Sequence, residues 1–585
     1  MFSVLGKLMW FFKDEWKRYT IAISLLLVTN ILEVLPPKLL GNVIDDIAIG
    51  QMTLSSLIQA VVALLSITIV TYIMVYFWMY QLFGGSHSIE KILRSKLMGQ
   101  FLKMTPSFFE KNRTGDLMAR ATNDLKAISL TVGFGILTFV DSSMYMLTIL
   151  LTMAIWINWK LTLVAILPLP FMAILISVYG KRIHERFTSA QDAFGELNDQ
   201  VLESVSGVRV VRAYVQEKAD IKRFADKTEE VYQKNVSVAK IDALFEPTIK
   251  LLVGLSYLLG LGFGAYLVFH NELTLGELIA FNIYLGMFIW PMFAIGELIN
   301  VMQRGNASLD RVMQTLDYQP DVKDGEEIVQ VEKITDITFK DVTFQYPLSN
   351  LANIKHIDLS IKQGQTVGIV GKTGSGKTTI IKQLLRQYPK GEGQILISGV
   401  PIEKISLETL QSRIGYVPQD HVLFSRSIRE NILLGKVEAT EEELSRAIRL
   451  AYFENDLNNL PQGLDTLVGE KGVALSGGQK QRVSIARALL IDPEVLILDD
   501  SLSAVDAKTE TAIIENIRTE RAGKTTLIVT HRLSAVEHAD WIIVMEDGAI
   551  VQEGIHEDLK GRKGWYKEQC DRQKMEDQNE GRVLV

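Results

Sequence analysis

Eight consecutive residues have the types and the spacing of a phosphate-binding loop. They follow the apolar run TVGIV and precede the helical pattern TIIKQLLRQ. Glycines there let backbone N–H groups surround phosphate oxygens beside a helix N-terminus, which favours anions. In such a loop the lysine reaches the β- and γ-phosphates of a nucleotide, and the following threonine is a Mg²⁺ ligand. The residues are Gly371, Lys372, Thr373, Gly374, Ser375, Gly376, Lys377 and Thr378.

A second candidate for Mg²⁺ and nucleotide binding is the pair of carboxylates at the end of the apolar run VLILDD, residues 495–500. Such a run predicts a buried strand of a parallel sheet. Asp499, at the C-terminal tip of that strand, is placed to hold the shell of a Mg²⁺ ion. Together with the phosphate-binding loop, it predicts a P-loop nucleoside triphosphatase, without indicating the subfamily.

The subfamily is indicated by a pentapeptide that precedes the helical run KQRVSIARALL. Small residues at the start of a helix leave its N–H groups free for a phosphate. The pentapeptide is similar to the signature of ABC transporters, and nearly the whole chain resembles the bacterial half-size exporters of that family. Within the family, it resembles one subunit type of the heterodimeric multidrug exporters of Bacillus. The residues are Leu475, Ser476, Gly477, Gly478 and Gln479.

The resemblance implies ATP and Mg²⁺ as cofactors and assigns further roles. Tyr346, in FKDVTFQYP, matches the aromatic residue that stacks on adenine. Gln419, in GYVPQD, matches a glutamine that senses Mg²⁺ and the attacking water, and His531, in IVTHRLS, matches a contact to the γ-phosphate. TLVGEKG resembles the exporter-specific loop before the signature. The loop that contacts the opposite cassette is matched by Ser503, Ala504, Val505 and Asp506.

One residue departs from the family pattern. A glutamate that polarises the attacking water normally follows the strand-end aspartate, and here that position is Asp500. Aspartate is one methylene shorter, which retracts its oxygens by roughly 1–1.5 Å, and such a misplacement lowers rates on the order of 100-fold. We therefore expect a site that binds ATP and hydrolyses it slowly. The alternative is that Asp500 acts through a rearranged loop or an additional water.

The elements before residue 300 are predicted to lie in a membrane. Six apolar stretches there approach the roughly 20 residues that cross a bilayer core. A polar linker and alternating strand and helix patterns follow, so the fold class is an all-α six-helix transmembrane domain followed by a P-loop α/β ATP-binding cassette. The stretches lie near 20–40, 55–81, 133–157, 159–180, 245–269 and 277–299. The predicted domains are an amphipathic N-terminal helix (1–18), the transmembrane domain (19–305), the linker (306–335), the cassette (336–575) and a polar tail (576–585).

Charge predicts the orientation of these stretches. Lys and Arg concentrate in the two long segments after the second and fourth stretches, and positive segments stay in the cytoplasm. Both termini and the cassette are then cytoplasmic. The resemblance to bacterial exporters implies that the stretches cross the plasma membrane of a bacterium. The long segments show helical periodicity, and the tips of these helices are predicted at 114–128 and 206–224. The net charge of −7 does not suggest a nucleic-acid partner.

The resemblance also implies a second chain, because each ATP in this family lies between the phosphate loop of one cassette and the signature of the other. The combination of Asp500 with an intact signature in one chain favours a different half-exporter chain as the partner. Met and aromatic residues of the sixth stretch suggest amphipathic small-molecule substrates, although ordinary helix packing explains them equally well. Alternatives are a homodimeric lipid flippase, a peptide exporter, and a regulator or sensor that does not transport. The candidate substrate contacts are Tyr284, Met287, Phe288, Trp290 and Phe293.

Overall fold

The computed structural model describes residues 3–325, 327–469 and 475–573. The predicted polar tail at 576–585 and the part of the exporter-type loop at 470–472 lie outside these described residues.

The described residues form two compact units. Unit 1 comprises Met1–Phe101 and Gly115–Tyr318, and unit 2 comprises Leu102–Thr114 and Gln319–Val585. The short segment Leu102–Thr114 therefore packs with the C-terminal part of the chain, although unit 1 flanks it on both sides in the sequence.

The first 318 residues are helical wherever they form regular structure within the described ranges, as expected for apolar runs that must satisfy their own backbone hydrogen bonds in lipid. The helices are α1 (Ser3–Lys7), α2 (Met9–Asp14), α3 (Trp16–Glu33), α4 (Leu35–Ala48), α5 (Leu54–Phe101), α6 (Pro106–Lys111), α7 (Thr114–Ala119), α8 (Leu125–Val132), α9 (Phe134–Val140), α10 (Met146–Leu151), α11 (Trp159–Ile166), α12 (Pro168–Ser206), α13 (Val208–Ala213), α14 (Glu217–Phe269) and α15 (Leu275–Leu316). Three π-helical turns lie at Arg120–Asp124, Asp141–Tyr145 and Thr152–Asn158.

Five helical stretches of the described chain are long and apolar enough to cross a membrane, by length and composition. The predicted third stretch and the start of the predicted fourth both fall in one of them, Thr114–Ile166. They meet at Asn158, where the backbone is extended and the side chain caps α11 by accepting hydrogen bonds from the N–H groups of Lys160 and Leu161. Beyond Leu167 the fourth stretch continues into α12. The five stretches are Trp16–Ala48, Leu54–Phe101, Thr114–Ile166, Glu217–Phe269 and Leu275–Leu316.

Within unit 1, α4 and α15 approach each other closely at two glycines. A Cβ atom on Gly276 would lie 1.9 Å from the carbonyl oxygen of Gly41, so a larger residue does not fit without movement of a helix. The Asp45 carboxylate accepts hydrogen bonds from the Gly276 N–H at 2.7 Å and from the Thr274 hydroxyl at 2.6 Å. The acid thus binds the N-terminus of α15, where a negative charge is favoured.

The first predicted helix tip is wrong. Residues 114–128 already belong to the helices that follow the turn, and the turn itself lies upstream, around α6, in unit 2. Pro106 explains the placement of α6, because proline is favoured at the first position of a helix. The second predicted tip, 206–224, contains the short helix α13 between the two long helices α12 and α14.

Unit 2 carries the strands. They are β1 (Asp336–Phe344), β2 (Ile354–Lys362), β3 (Thr366–Gly371), β4 (Glu392–Ile397), β5 (Val400–Pro401), β6 (Ile414–Val417), β7 (Val495–Asp499), β8 (Thr525–Val529), β9 (Trp541–Glu546) and β10 (Ala549–Gly554). Its helices after α6 are α16 (Lys377–Leu384), α17 (Leu407–Ser412), α18 (Ile428–Leu433), α19 (Glu441–Leu450), α20 (Glu454–Leu457), α21 (Gly477–Leu490), α22 (Ala507–Glu520) and α23 (His556–Gly561), with 3₁₀ turns at Ile402–Lys404 and Gly463–Asp465.

The strands form two sheets. The larger has the order β10-β9-β3-β8-β7-β6, and its strands are parallel except for β10, which is antiparallel to β9. The smaller, β2-β1-β4-β5, is antiparallel. Every residue of β7 is buried, as its continuous apolar sequence predicts. Because β3, β7 and β8 are parallel, their C-terminal ends meet at one edge of the larger sheet.

Candidate functional site

The phosphate-binding loop lies at that edge, between β3 and α16. Gly376 precedes α16 with a left-handed backbone (φ 99°), and a Cβ atom there would lie 2.6 Å from the Asn353 carbonyl oxygen. A glycine is therefore required at this position. Lys377 Nζ donates hydrogen bonds of 2.8 Å each to the carbonyl oxygens of Gly371 and Lys372, which hold the loop curved over the start of the helix.

Next to the loop, a hydroxyl and a carboxylate form a pair. Thr378 Oγ1 donates to Asp499 Oδ1 at 3.0 Å, and Tyr416 donates to the other carboxylate oxygen at 3.4 Å. Asp499 is fully buried, and burial raises its pKa, while these two hydrogen bonds offset part of the increase. Hard oxygen donors of this kind are what Mg²⁺ prefers, so the pair fits that ion.

Asp500 follows directly, in an unusual backbone conformation. Its φ is 47°, in the left-handed region, and its N–H donates to the carbonyl oxygen of Val529 at 2.7 Å. One oxygen of its carboxylate lies 2.9 Å from Nδ1 of His531. Burial lowers the pKa of the Lys377 ammonium, and Asp500 with Asp499 offsets part of that decrease. The carboxylates at the strand end therefore help to keep the lysine charged.

These groups surround one cavity of about 270 Å³. Most of the predicted ATP-binding and catalytic residues line it, and three further residues, Asn353, Thr379 and Val529, were missed by sequence reasoning. Thr379 accepts a hydrogen bond of 3.1 Å from the Tyr346 hydroxyl, and the Asn353 side chain accepts one of 3.1 Å from the Tyr346 N–H. The lining residues are Tyr346, Asn353, Thr373, Gly374, Gly376, Lys377, Thr378, Thr379, Gln419, Asp499, Asp500, Val529 and His531.

Three predicted residues of the phosphate-binding loop, Gly371, Lys372 and Ser375, are not among the lining residues of the cavity. The Lys372 ammonium pairs with Glu546 at 2.6 Å, and Ser375 is buried. Lys372 therefore serves the loop through its backbone carbonyl. The doublet of threonines after Lys377 was the available signal for Thr379, whereas no local pattern pointed to Asn353.

The signature residues are not among the lining residues of this cavity. Ser476 is the exposed N-cap of α21 and forms a capping box with Gln479, whose N–H donates to Ser476 Oγ at 3.3 Å. The Gln479 amide and the guanidinium of Arg482 both bind Asp456, at 3.1 and 2.8 Å. Two side chains thus anchor the helix, while its N-terminus is presented to solvent.

A side chain that the motif search passed over connects α21 with the loop Ser503–Asp506. Gln481, which is buried, accepts from the Ala504 N–H at 3.1 Å and donates to the Ser503 hydroxyl at 3.3 Å. The Ser503 hydroxyl donates to the carbonyl oxygen of Asp500 at 3.0 Å. The start of the signature helix is therefore two hydrogen-bonded side chains away from the residue that departs from the family pattern.

The same loop is held from its other side. Arg532, which follows His531, donates to the carbonyl oxygen of Ser503 at 2.8 Å and pairs with the buried carboxylate of Glu510 at 3.0 Å. Asp506 is the N-cap of α22 and accepts a hydrogen bond of 2.9 Å from the Thr509 N–H. The loop Ser503–Asp506 is thus tied to the site by hydrogen bonds within this chain.

The candidate substrate contacts on α15 differ in burial. Tyr284 and Phe288 are buried in the helical core of unit 1, and the Tyr284 hydroxyl donates to the carbonyl oxygen of Val34. Met287 and Phe293 are half-buried, and Trp290 is 56% exposed.

Two family models match the chain. That of the ABC transporter transmembrane region matches residues 19–292, and that of the ABC transporter matches residues 354–503. Among curated relatives, the probable multidrug resistance ABC transporter ATP-binding/permease protein YheI of Bacillus subtilis is 65% identical over 581 residues, which cover 99% of each chain. The multidrug resistance-like ATP-binding protein MdlA of Escherichia coli is 41% identical over 573 residues, covering 98% of this chain and 97% of that one.

A solved structure agrees in fold. A bacterial Atm1-family ABC exporter with ATP bound has a TM-score of 0.79 and 25% sequence identity, covering 96% of this chain and 99% of that chain. The predicted order of a helical membrane domain and an α/β cassette is confirmed. The resemblance to a subunit type of Bacillus multidrug exporters, the BmrC type, is confirmed by the identity with YheI. The chain therefore belongs to the ABC transporter family and is an ATP-hydrolysing transporter whose membrane domain is fused to its ATP-binding cassette.

Proposed function

We propose that this chain is one half of a heterodimeric multidrug exporter, that its own ATP site hydrolyses slowly, and that its signature serves the active site of a different partner chain. The observation that carries the proposal is Asp500 at the position where this family has glutamate. ATP binding would close the two cassettes and turn the membrane helices outward, and hydrolysis would reopen them.

The geometry around Asp500 supports slow hydrolysis. Its carboxylate lies 2.9 Å from the His531 imidazole, whereas a glutamate on the same backbone would extend roughly 1–1.5 Å further into the cavity. The residues that we assign to nucleotide binding do not involve Asp500: Lys377 holds the loop and Thr378 contacts Asp499. Binding and hydrolysis are thus separable at this site.

We assign Mg²⁺ to the oxygen donors Thr378, Asp499 and Gln419, all of which line the cavity. When bound, the ion would neutralise charge on the β- and γ-phosphates. The residues of this chain would orient the nucleotide: Lys377 binds its phosphates, Tyr346 supports its base, and His531 positions the terminal phosphate.

The placement of the signature supports a second chain. Ser476 caps α21 at the surface and does not line the cavity of its own cassette in the described part of the chain. An exposed helix N-terminus suits a phosphate brought by another molecule. A partner that supplies a glutamate would give one active and one slow site.

The substrate class is inferred from relatives and from the membrane unit. YheI and MdlA carry multidrug resistance in their names. On α15, the exposed Trp290 donates from its indole N–H to a carboxylate oxygen of Asp141 at 3.4 Å. An aromatic face beside an acid in a membrane segment suits amphipathic, cationic compounds. We place the exporter in the bacterial plasma membrane, with both termini and the cassette in the cytoplasm.

The rival functions make different predictions for the isolated chain. We expect the chain purified alone to hydrolyse ATP little, and co-expression with a half-exporter whose strand-end aspartate is followed by glutamate to restore activity. The control is the same complex with Lys377→Ala in this chain, which tests whether this chain's own site is needed. Normal exporter rates from the chain alone would favour a homodimeric flippase or peptide exporter.

A panel of substrates separates transport from regulation. Amphipathic cationic dyes and drugs should stimulate ATP hydrolysis by the assembled complex in lipid, and a defined lipid or peptide should not. Stimulation by the lipid or peptide alone would favour the corresponding exporter. The absence of stimulation and of transport with every class would favour a regulator or sensor.

A further inference from the structure

A second cavity of unit 2 lies where the parallel strands of the larger sheet begin, at the edge opposite to the nucleotide cavity. It has a volume of about 170 Å³, and its lining includes the first residue of β3, the second residue of β8 and the end of α22. Among the described residues, none lines both cavities. Because β3 starts at this cavity and leads over six residues into the phosphate-binding loop, the two cavities lie roughly 20 Å apart. The second cavity is therefore separate from the nucleotide cavity.

The lining of this second cavity is mainly basic. Arginine, lysine and histidine residues line it from α22, from the turn before β8 and from the turn before β9. Asp540 is the only acid among the described lining residues, and its carboxylate already accepts a hydrogen bond of 2.8 Å from the Thr366 N–H. An excess of positive charge in a small cavity favours an anionic ligand. The basic lining residues are Arg518, Arg521, Lys524 and His538.

Arg521 is the most deeply buried of these basic residues, with 5% exposure. Its guanidinium donates to the carbonyl oxygens of Pro493 at 2.9 Å and of Thr525 at 3.3 Å, and its buried Nε has no hydrogen-bond partner within the described residues. Burial lowers the pKa of this guanidinium to about 10, and Asp492 offsets part of that decrease, so the group stays charged at physiological pH. A buried cation that is held by two neutral carbonyls is stabilised further by an anion.

The other three basic residues are more exposed. Arg518 lies in the last turn of α22 and acts on His538, since burial first and this guanidinium second lower the pKa of the imidazole. A neutral imidazole donates one N–H to an oxygen. Lys524 pairs with Asp492 at 2.7 Å, and the three donors of its ammonium leave room for a second acceptor. Three segments of the chain thus bring hydrogen-bond donors to one cavity.

We propose that this cavity is a binding site for a small oxyanion of the phosphate class, which Arg521 binds from inside and Arg518, Lys524 and His538 bind from the more exposed side. The volume holds several water molecules, and therefore one tetrahedral oxyanion. Planar guanidinium groups bind pairs of phosphate oxygens, which distinguishes such an anion from chloride. Free phosphate and the phosphate group of a small monoester present the same oxygens. Since the anion binds the folded cassette alone, it stabilises the cassette.

The test is hydrogen exchange of the full chain in lipid nanodiscs, without nucleotide and with Lys377→Ala as the background. This background is needed because phosphate also enters phosphate-binding loops, and the variant removes the charge there. Inorganic phosphate should slow exchange in the peptides that contain residues 518–526 and 536–541, and potassium chloride at equal ionic strength should not. Glycerol 3-phosphate is the second probe: tighter binding of this ester would assign a phosphomonoester as the ligand, and tighter binding of inorganic phosphate would assign the free ion.

Variants of the exposed residues identify the site without disturbing the fold. Arg518→Gln and Lys524→Gln should each weaken phosphate binding at least about tenfold, measured from the phosphate dependence of the protection, because each removes a charge-assisted contact. Arg521→Lys keeps the charge and loses the planar donors, so it should weaken binding at least as much. Arg562→Gln is the matched control, because Arg562 is exposed after α23 and does not line the cavity, and it should behave as the background protein.

Equal protection by chloride would reduce the effect to charge screening and overturn the inference. An unchanged affinity for phosphate in both Arg518→Gln and Lys524→Gln would also overturn it, as would protection confined to peptides outside the cavity. The measurement requires neither ATP hydrolysis nor transport, so its outcome is independent of the proposed function.

Discussion

Replacement of Ser476 with arginine tests the proposed division of labour between this chain and a partner chain. Ser476 is exposed at the N-terminus of α21, and its hydroxyl accepts from the Gln479 N–H at 3.3 Å. Loss of this N-cap costs about 1 kcal/mol of local stability. Loss of a preorganised contact to a γ-phosphate in the transition state costs about 3 kcal/mol, which corresponds to a rate more than about 100-fold lower.

The comparison is with Asp500→Asn in the same complex. Asparagine keeps the size of the side chain and its reach to His531, so only the charge is lost. Because we expect this site to hydrolyse slowly already, overall ATP hydrolysis at saturating ATP should change by less than about threefold. Ser476→Arg should nearly abolish it.

Two control variants separate the catalytic effect from the loss of a helix cap. Ser406 caps α17 in the same way, with an acceptor distance of 3.1 Å to the Thr409 N–H, and Ser406→Arg should leave hydrolysis nearly unchanged. Ser476→Asp keeps a good cap but opposes a phosphate, so it should be as inactive as Ser476→Arg. Equal, severe losses in Asp500→Asn and Ser476→Arg would show that Asp500 is a working base and refute the slow-site reading.

Three further predictions concern single positions. Lys377→Ala should lower ATP binding at this chain's site by at least about tenfold, measured by nucleotide trapping, because a charge-assisted contact is lost; unchanged trapping would contradict its role. Burial raises the pKa of Asp499, so its ionised form destabilises the nucleotide-free cassette, and this penalty grows as the pH rises through that pKa. Asp499→Asn should therefore raise the melting temperature without nucleotide and remove the extra stabilisation by Mg²⁺ with ATP, and a lower melting temperature would refute this. Gly276→Ala should destabilise the membrane unit by about 2 kcal/mol through its clash with Gly41, whereas Gly254→Ala, which meets no atom within 4 Å, should not lower the stability in the same detergent melting assay.

Much of the nucleotide site was predictable because its determinants are local. The phosphate-binding loop needs glycines at fixed positions, and an apolar strand that ends in Asp499 must present that carboxylate at the edge of a parallel sheet. The smaller antiparallel sheet was not predicted, since the pairing of β1 with β2 and β4 depends on register between distant segments. The roles of individual site residues and the domain bounds stay predictions.

Contacts between distant residues were out of reach of sequence patterns. The Tyr388 hydroxyl donates a hydrogen bond to the Glu110 carboxylate, although the two residues are 278 positions apart and neither stands out among its neighbours in the sequence. The link from Gln481 to Ser503 was missed because a buried glutamine shows no periodicity that separates it from a solvated one. The first helix tip was misplaced because charge and periodicity continue through residues 114–128, whereas the signal that mattered was Pro106 at the start of α6.

The left-handed backbone at Asp500 has an evolutionary consequence. Among non-glycine residues, aspartate and asparagine enter this region several-fold more readily than most others, because their short side chains bond locally. Glutamate lacks that advantage, so Asp500→Glu on this backbone would add conformational strain in exchange for reach. If a second chain supplies hydrolysis, as we propose, catalysis no longer demands that reach, and the same backbone favours the shorter acid. Under that proposal, folding stability alone would oppose a return to glutamate, so the asymmetry between the two sites would persist without further selection on transport.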